Sequence, residues 1–103
     1  METCITCSMP FVGDHANDIG LRLPEGPVCK FDSENGKMKT SEQILVGGIE
    51  FFSQYSNGDR ALAERLTRKN MKSLPYWKAH PFAGLEGTEA TDDEFNAVMA
   101  KMM

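Results

Sequence analysis

The chain places Cys4-Ile5-Thr6-Cys7 near its start and, twenty-one residues later, Cys29-Lys30-Phe31-Asp32, and these two turns hold every cysteine it has. A C-x-x-C turn lets two thiolates point at one ion, and a second turn of equal spacing closes a tetrahedron around it. Zinc takes sulfur, nitrogen and carboxylate oxygen in such sites. Asp32 stands where a fourth cysteine would complete the second turn. The spacing therefore points to Zn2+ held by Cys4, Cys7, Cys29 and Asp32. His15, between the two turns, is the alternative fourth ligand. Three thiolates with a histidine are the commoner set, whereas the matched spacing favours Asp32. Three thiolates and a carboxylate over-neutralise a divalent ion, and Lys30 inside the second turn is placed to offset them.

The need for a staple follows from where the apolar residues lie. Residues 1–40 contain few large apolar side chains, and a stretch of about 40 residues rarely folds on its own core. The pattern excludes little else, so a thiol redox or metal-sensing role stays open: an incomplete ligand set leaves thiolates reactive. Redox C-x-x-C pairs of the thioredoxin kind sit near a βαβ pattern, and none precedes Cys4. The start of the chain lacks a basic stretch followed by an apolar run, so no signal peptide is expected. Nor does any stretch approach the roughly 18 apolar residues of a membrane span. Cysteines in such a chain suit a reducing compartment, and the cytoplasm is the expected location.

Local signals divide the chain into three segments. Residues 1–40 read as short strands and turns. Ser8–Gly13 suits a strand or extended arm, Gly20–Leu23 and Val28–Phe31 alternate as half-buried strands do, and Asn35-Gly36 is a tight-turn signal. Residues 41–78 read as a helical hairpin. Thr40-Ser-Glu-Gln43 forms a capping box. Ile44, Leu45, Gly48, Ile49, Phe51, Phe52 and Tyr55 then share one broad face. Gly48 lies within that face, which predicts a close approach of another backbone. Asn57 or Asp59 caps a second helix that Pro75 ends, with Leu62, Ala63, Leu66 and Leu74 on one face and Arg65, Arg68, Lys69 and Lys72 on the other. A link this short predicts antiparallel packing.

Residues 79–103 read as a loop followed by an amphipathic helix. Thr91-Asp-Asp-Glu94 is a second capping box, and Phe95, Val98, Met99 and Met102 form its apolar stripe. Tyr76, Trp77 and Phe82 read as a lid on the core. The expected fold class is α+β: a zinc-ribbon-like β segment, a helical hairpin packed on it and a short C-terminal helix, in one compact domain.

Charge narrows the partner. The net charge of −4 argues against a chain that coats nucleic acid, and the bases concentrate in residues 60–78 between acidic ends. Four bases on one helix offer few phosphate contacts, and affinity for nucleic acid depends on their number. No phosphate-binding glycine loop, nucleophile elbow or paired-acid arrangement recommends an enzyme. A protein-interaction module is the leading expectation, and a nucleic-acid-binding regulator using the basic face is the alternative.

These residues resemble a known family, the zinc-ribbon domain of small bacterial and archaeal proteins. Its members open with C-x-x-C-x-M-P, as in Cys4-Ile-Thr-Cys7-Ser-Met9-Pro10, and continue to a second C-x-[YF]-C turn, an acidic segment with N-G, and a helix. Cys29-Lys-Phe31, Glu34-Asn35-Gly36-Lys37 and Ser41–Val46 are similar to that part, and Leu74-Pro-Tyr-Trp77-Lys78 to the later M-P-x-W-K. The likeness spans about residues 3–78 and departs at Asp32, where the family has cysteine. It implies zinc binding and no particular activity.

Overall fold

Two small hairpins carry the second cysteine turn between them. In a computed structural model describing residues 2–102, β1 (Ile19–Leu23) pairs antiparallel with β2 (Gly26–Cys29), and β3 (Ser33–Glu34) pairs antiparallel with β4 (Lys37–Met38). Met1 and Met103, the outer limits of the expected segments, lie outside the described residues. Asn35 and Gly36 join β3 to β4 with φ of 54° and 75°, the left-handed pair that a two-residue hairpin turn requires. Gly20 lets β1 lie close to the turn after β2: a Cβ there would come 2.8 Å from the Lys30 Cα and collide with the Ser33 hydroxyl.

The first cysteine turn joins the open side of β2 through Ile5 N–H on the Pro27 carbonyl, at 3.0 Å. Pro27, Val28 and Cys29 are consequently all buried, so β2 does not alternate as expected. The Ser8–Gly13 stretch forms no strand. It makes a single bridge, Thr3 to Pro10, and passes into a 3₁₀ turn at Gly13–His15.

Helix α1 (Ser41–Ser53) starts at the expected capping box, with both Thr40–Gln43 bonds present. Asp59 caps α2 (Arg60–Lys72) by accepting from Leu62 N–H. Ile44 shares a cluster with Met71, Gly48 faces Thr67, and Phe52 clusters with Ala63. Partners that descend along one helix as they ascend along the other make the pair antiparallel. The neighbour that requires Gly48 is a side chain rather than a backbone: an added Cβ would stand 2.6 Å from the Thr67 methyl carbon.

The helical half departs from expectation in several places. Phe51, placed on the buried face, is 46% exposed. Pro75 ends α2 but also opens α3 (Pro75–Ala79), occupying the first-turn position where its missing N–H costs nothing. The expected loop that follows contains a 3₁₀ turn at Ala83–Leu85. Helix α4 (Asp92–Met102) begins at the Thr91/Glu94 box. It buries Val98 with Phe95 and Met102 beside it, but leaves Met99 out.

The architecture is α+β. The described residues hold a ribbon-side cluster of Cys4, Phe11 and Cys29, a middle cluster around Ile44, Met71, Trp77 and Leu85, and a distal one around Ile49, Phe52, Leu66 and Val98. Among these residues no helix is long and apolar enough to cross a membrane.

Candidate metal centre

Cys4, Cys7, Cys29 and Asp32 come together: one donor atom from each lies within 4.8 Å of the other three. Cys7 Sγ is 3.7 Å from Cys29 Sγ, and Cys4 Sγ is 3.8 Å from Asp32 Oδ2. A tetrahedron with zinc–sulfur bonds of about 2.3 Å has edges of about 3.8 Å. The donor spacing therefore suits a tetrahedral ion of that size. Cys4, Cys29 and Asp32 are buried and Cys7 is half-buried.

Local backbone shapes both turns. In the first, Ser8 adopts φ of 65° and returns its N–H to the Cys4 carbonyl at 2.8 Å, while Cys4 N–H reaches the Met9 carbonyl. In the second, Asp32 N–H donates to the Cys29 carbonyl at 3.1 Å, and the Ser33 hydroxyl donates to the same oxygen. These bonds aim the side chains of each turn the same way.

Thr6, fully buried, is a site residue that the sequence reading passed over. Its hydroxyl donates to Asp32 Oδ2 at 2.6 Å and stands 3.1 Å from Cys4 Sγ. Cys29 N–H also donates to Cys4 Sγ, at 3.2 Å. The expected charge support from Lys30 is absent: its Nζ pairs with Asp18 Oδ1 at 3.1 Å. Oriented dipoles, the Thr6 hydroxyl and the Cys29 amide, face the donors instead. The one signal for Thr6 was its position as a polar residue inside the first turn.

His15 lies outside the donor group. It is exposed, and its Nδ1 meets Asp18 Oδ2 at 2.8 Å. Asp18 thus gathers His15 and Lys30, the two side chains that the sequence suggested for the metal centre.

Proton affinities reflect the crowding. The Cys4 thiol is drawn far below its ordinary value by hydrogen bonds from the Cys29 and Cys7 thiols, with help from Thr6 and the Cys29 amide. Cys7 and Cys29 are pushed up, Cys7 mainly by its bond with Cys29 and Cys29 mainly by its bond with Cys4. Burial raises the Asp32 carboxyl, against the lowering effect of Thr6. Four acids this close cannot all ionise alone, whereas a divalent cation held among them would let them do so.

Two helices hold the first turn from behind. Asn70 on α2 donates its amide to the Cys7 carbonyl at 3.0 Å and accepts from the Ser8 hydroxyl at 2.8 Å. Trp77 on α3 donates its indole N–H to the Thr6 carbonyl at 3.0 Å. Neither contact had a local signal, since each joins residues more than sixty positions apart.

The basic face of α2 is engaged rather than open. Arg65 pairs with Glu94, Lys69 with Asp92 and Lys72 with Glu89, while Arg68 donates to the Thr88 carbonyl. The ordinary reading of four bases on a helix is a solvated face; here one acidic segment covers them. No protein-family model, curated protein or solved structure matches this chain.

Proposed function

We propose that this chain is a non-enzymatic, zinc-stabilised module that binds another protein, with Cys4, Cys7, Cys29 and Asp32 as the zinc ligands. The observation that carries the metal reading is the convergence of those four donors within 4.8 Å. Three sulfur donors favour zinc over the hard cations, which prefer all-oxygen sites. The role of the ion is structural. Its four positions are filled by protein, which leaves no open position for substrate. The resemblance to zinc-ribbon domains supports the same reading.

Because the ligands converge only in the folded chain, binding energy becomes folding energy. Protein purified without added metal is expected to contain about one zinc per chain. A strong chelator is expected to speed hydrogen exchange in residues 2–40 before the helices respond. Protein that contains no zinc, and whose exchange pattern a chelator leaves unchanged, overturns the proposal.

A thiol redox or metal-sensing role is the second reading. Its support is the 3.7 Å approach of the Cys7 and Cys29 sulfurs with Cys7 half-buried. The nucleic-acid alternative has less behind it, because its four bases already face acidic or carbonyl partners.

A further inference from the structure

The α1/α2 hairpin carries a surface with an apolar floor and a basic rim. Ile49 and Phe52 of α1 form the floor with Ala63 and Leu66 of α2. Arg65, Lys69 and Lys72 line one side of it. The chain's own residues 88–102 occupy this surface, and their chemistry matches it part for part. Phe95, Val98 and Met102 lie on the floor, with the Phe95 ring 6.3 Å from that of Phe52. Glu89, Asp92 and Glu94 meet the rim. Ala90 N–H donates to the Arg65 carbonyl at 3.1 Å, which sets the approach to the helix. Gly87, at φ of 130°, leaves room for the Arg68 guanidinium: a Cβ there would stand 3.3 Å from it.

The seat is matched but lightly held. Ala90 and Val98 are the buried residues of this segment, while Phe95 and Met102 are only partly covered. Asp92 is 86% exposed in its pair with Lys69, and the other two pairs are partly exposed. Exposed pairs contribute little and weaken with salt. A nucleic acid would use the rim and leave the floor bare, whereas an acidic amphipathic helix uses both.

We infer that this surface is a docking groove for an acidic amphipathic helix of a partner protein, and that α4 is its resident, displaceable occupant. The partner segment would carry acids in its first turn and apolar residues at i, i+3 and i+7, as Phe95, Val98 and Met102 are spaced. The inference rests on the protein-binding reading and names its surface and the class of its partner.

The test uses the full chain with zinc bound and a labelled peptide of residues 88–102 as probe. Val98→Asp removes the buried anchor of α4, while Asp92→Lys with Glu94→Lys repels α4 from the rim without touching the floor. The second variant serves if the first fails to fold. Intramolecular occupancy lowers apparent affinity by the fraction of open grooves, so each variant is expected to bind the peptide about tenfold or more tighter than wild type. Binding should weaken as salt rises from about 0.05 M to about 0.5 M, and a peptide with its three first-turn acids changed to lysine should not bind.

No binding to either folded variant overturns the groove, as does binding that wild type and variants share equally. Exchange of α4 between two copies, read as a concentration-dependent wild-type dimer, makes the occupant a second copy and overturns the partner. So does an oligonucleotide that binds the opened variants where the peptide fails. Zinc content separates the two proposals: full zinc without peptide binding overturns the groove alone.

Discussion

Trp77 reaches back 71 positions to donate its indole N–H to the carbonyl oxygen of Thr6, the residue whose hydroxyl holds Asp32. The helical half of the chain thus fixes the backbone of the turn that supplies two thiolates. Trp77→Phe keeps an aromatic ring but leaves that buried carbonyl unpaired, at a cost of about 1–3 kcal/mol. Denaturant unfolding in the presence of zinc is expected to show that loss. Competitive zinc titration is expected to show weaker binding too; unchanged zinc affinity would reduce Trp77 to a packing residue.

Asp32→Cys is expected to tighten zinc binding and Asp32→Ala to weaken it, while His15→Ala leaves it unchanged. Thiolate is the softer donor, and its bond of about 2.3 Å is close enough to the 2.0–2.2 Å of a carboxylate for the turn to absorb. Thr6→Val, nearly isosteric, removes the hydroxyl that orients Asp32. Loss of such an outer partner costs about 10–100-fold in metal affinity. A titration in which only His15→Ala matters would move the fourth ligand away from Asp32.

Adjacent glycines in α1 should respond with opposite signs. A Cβ at Gly47 meets nothing within 4 Å, so Gly47→Ala is expected to stabilise by up to about 1 kcal/mol. A Cβ at Gly48 would collide with the Thr67 methyl group, and Thr67 is buried, β-branched and tied by its hydroxyl to the Ala63 carbonyl at 2.7 Å. Overpacking of about 1–3 kcal/mol then outweighs the helix gain. Thermal unfolding of the two variants side by side checks the contrast.

Asp18 gives the fold an acid-sensitive contact. Hydrogen bonds with His15 and then Lys30 hold its carboxyl below the usual range. A depressed folded pKa means that the unfolded chain binds the proton more readily. The contribution is complete above the unfolded value of about 3.9 and disappears as pH falls through the lower folded value. Wild type is therefore expected to exceed Asp18→Asn in stability near neutrality, with the difference closing below about pH 3.9. A difference that stays constant across that range would remove the linkage.

The strongest local signals were legible, although the strand read over Ser8–Gly13 and the alternation read over Val28–Phe31 were not found. The two capping boxes and the Asn35-Gly36 turn need only three or four residues to act, and they stand where the sequence placed them. The matched spacing of the two turns likewise led to the four donors that converge. What escaped was decided across the chain. Phe51 has the hydrophobicity of a core residue, but α2 covers the neighbouring arc of α1 and leaves Phe51 in edge-on and tilted contact with Phe52 and Tyr55. Lys30 sits inside the second cysteine turn, yet Asp18 draws it away from the donor group. The four bases of α2 looked solvated because their partners, Glu94, Asp92, Glu89 and the Thr88 carbonyl, lie well downstream in the chain, beyond the reach of any local pattern.

Helix α2 is a shared shaft. One of its side chains, Asn70, grips the Cys7 turn, while Arg65, Lys69 and Lys72 grip the C-terminal segment. Where occupancy at one of these ends changes affinity at the other, the linkage is reciprocal. If zinc stiffens α2 so that the groove binds its helix more tightly by some factor, a filled groove must retain zinc more tightly by that same factor. A partner that displaces α4 and holds the groove better would then make the metal harder to remove, so docking at one end would be readable as metal retention at the other.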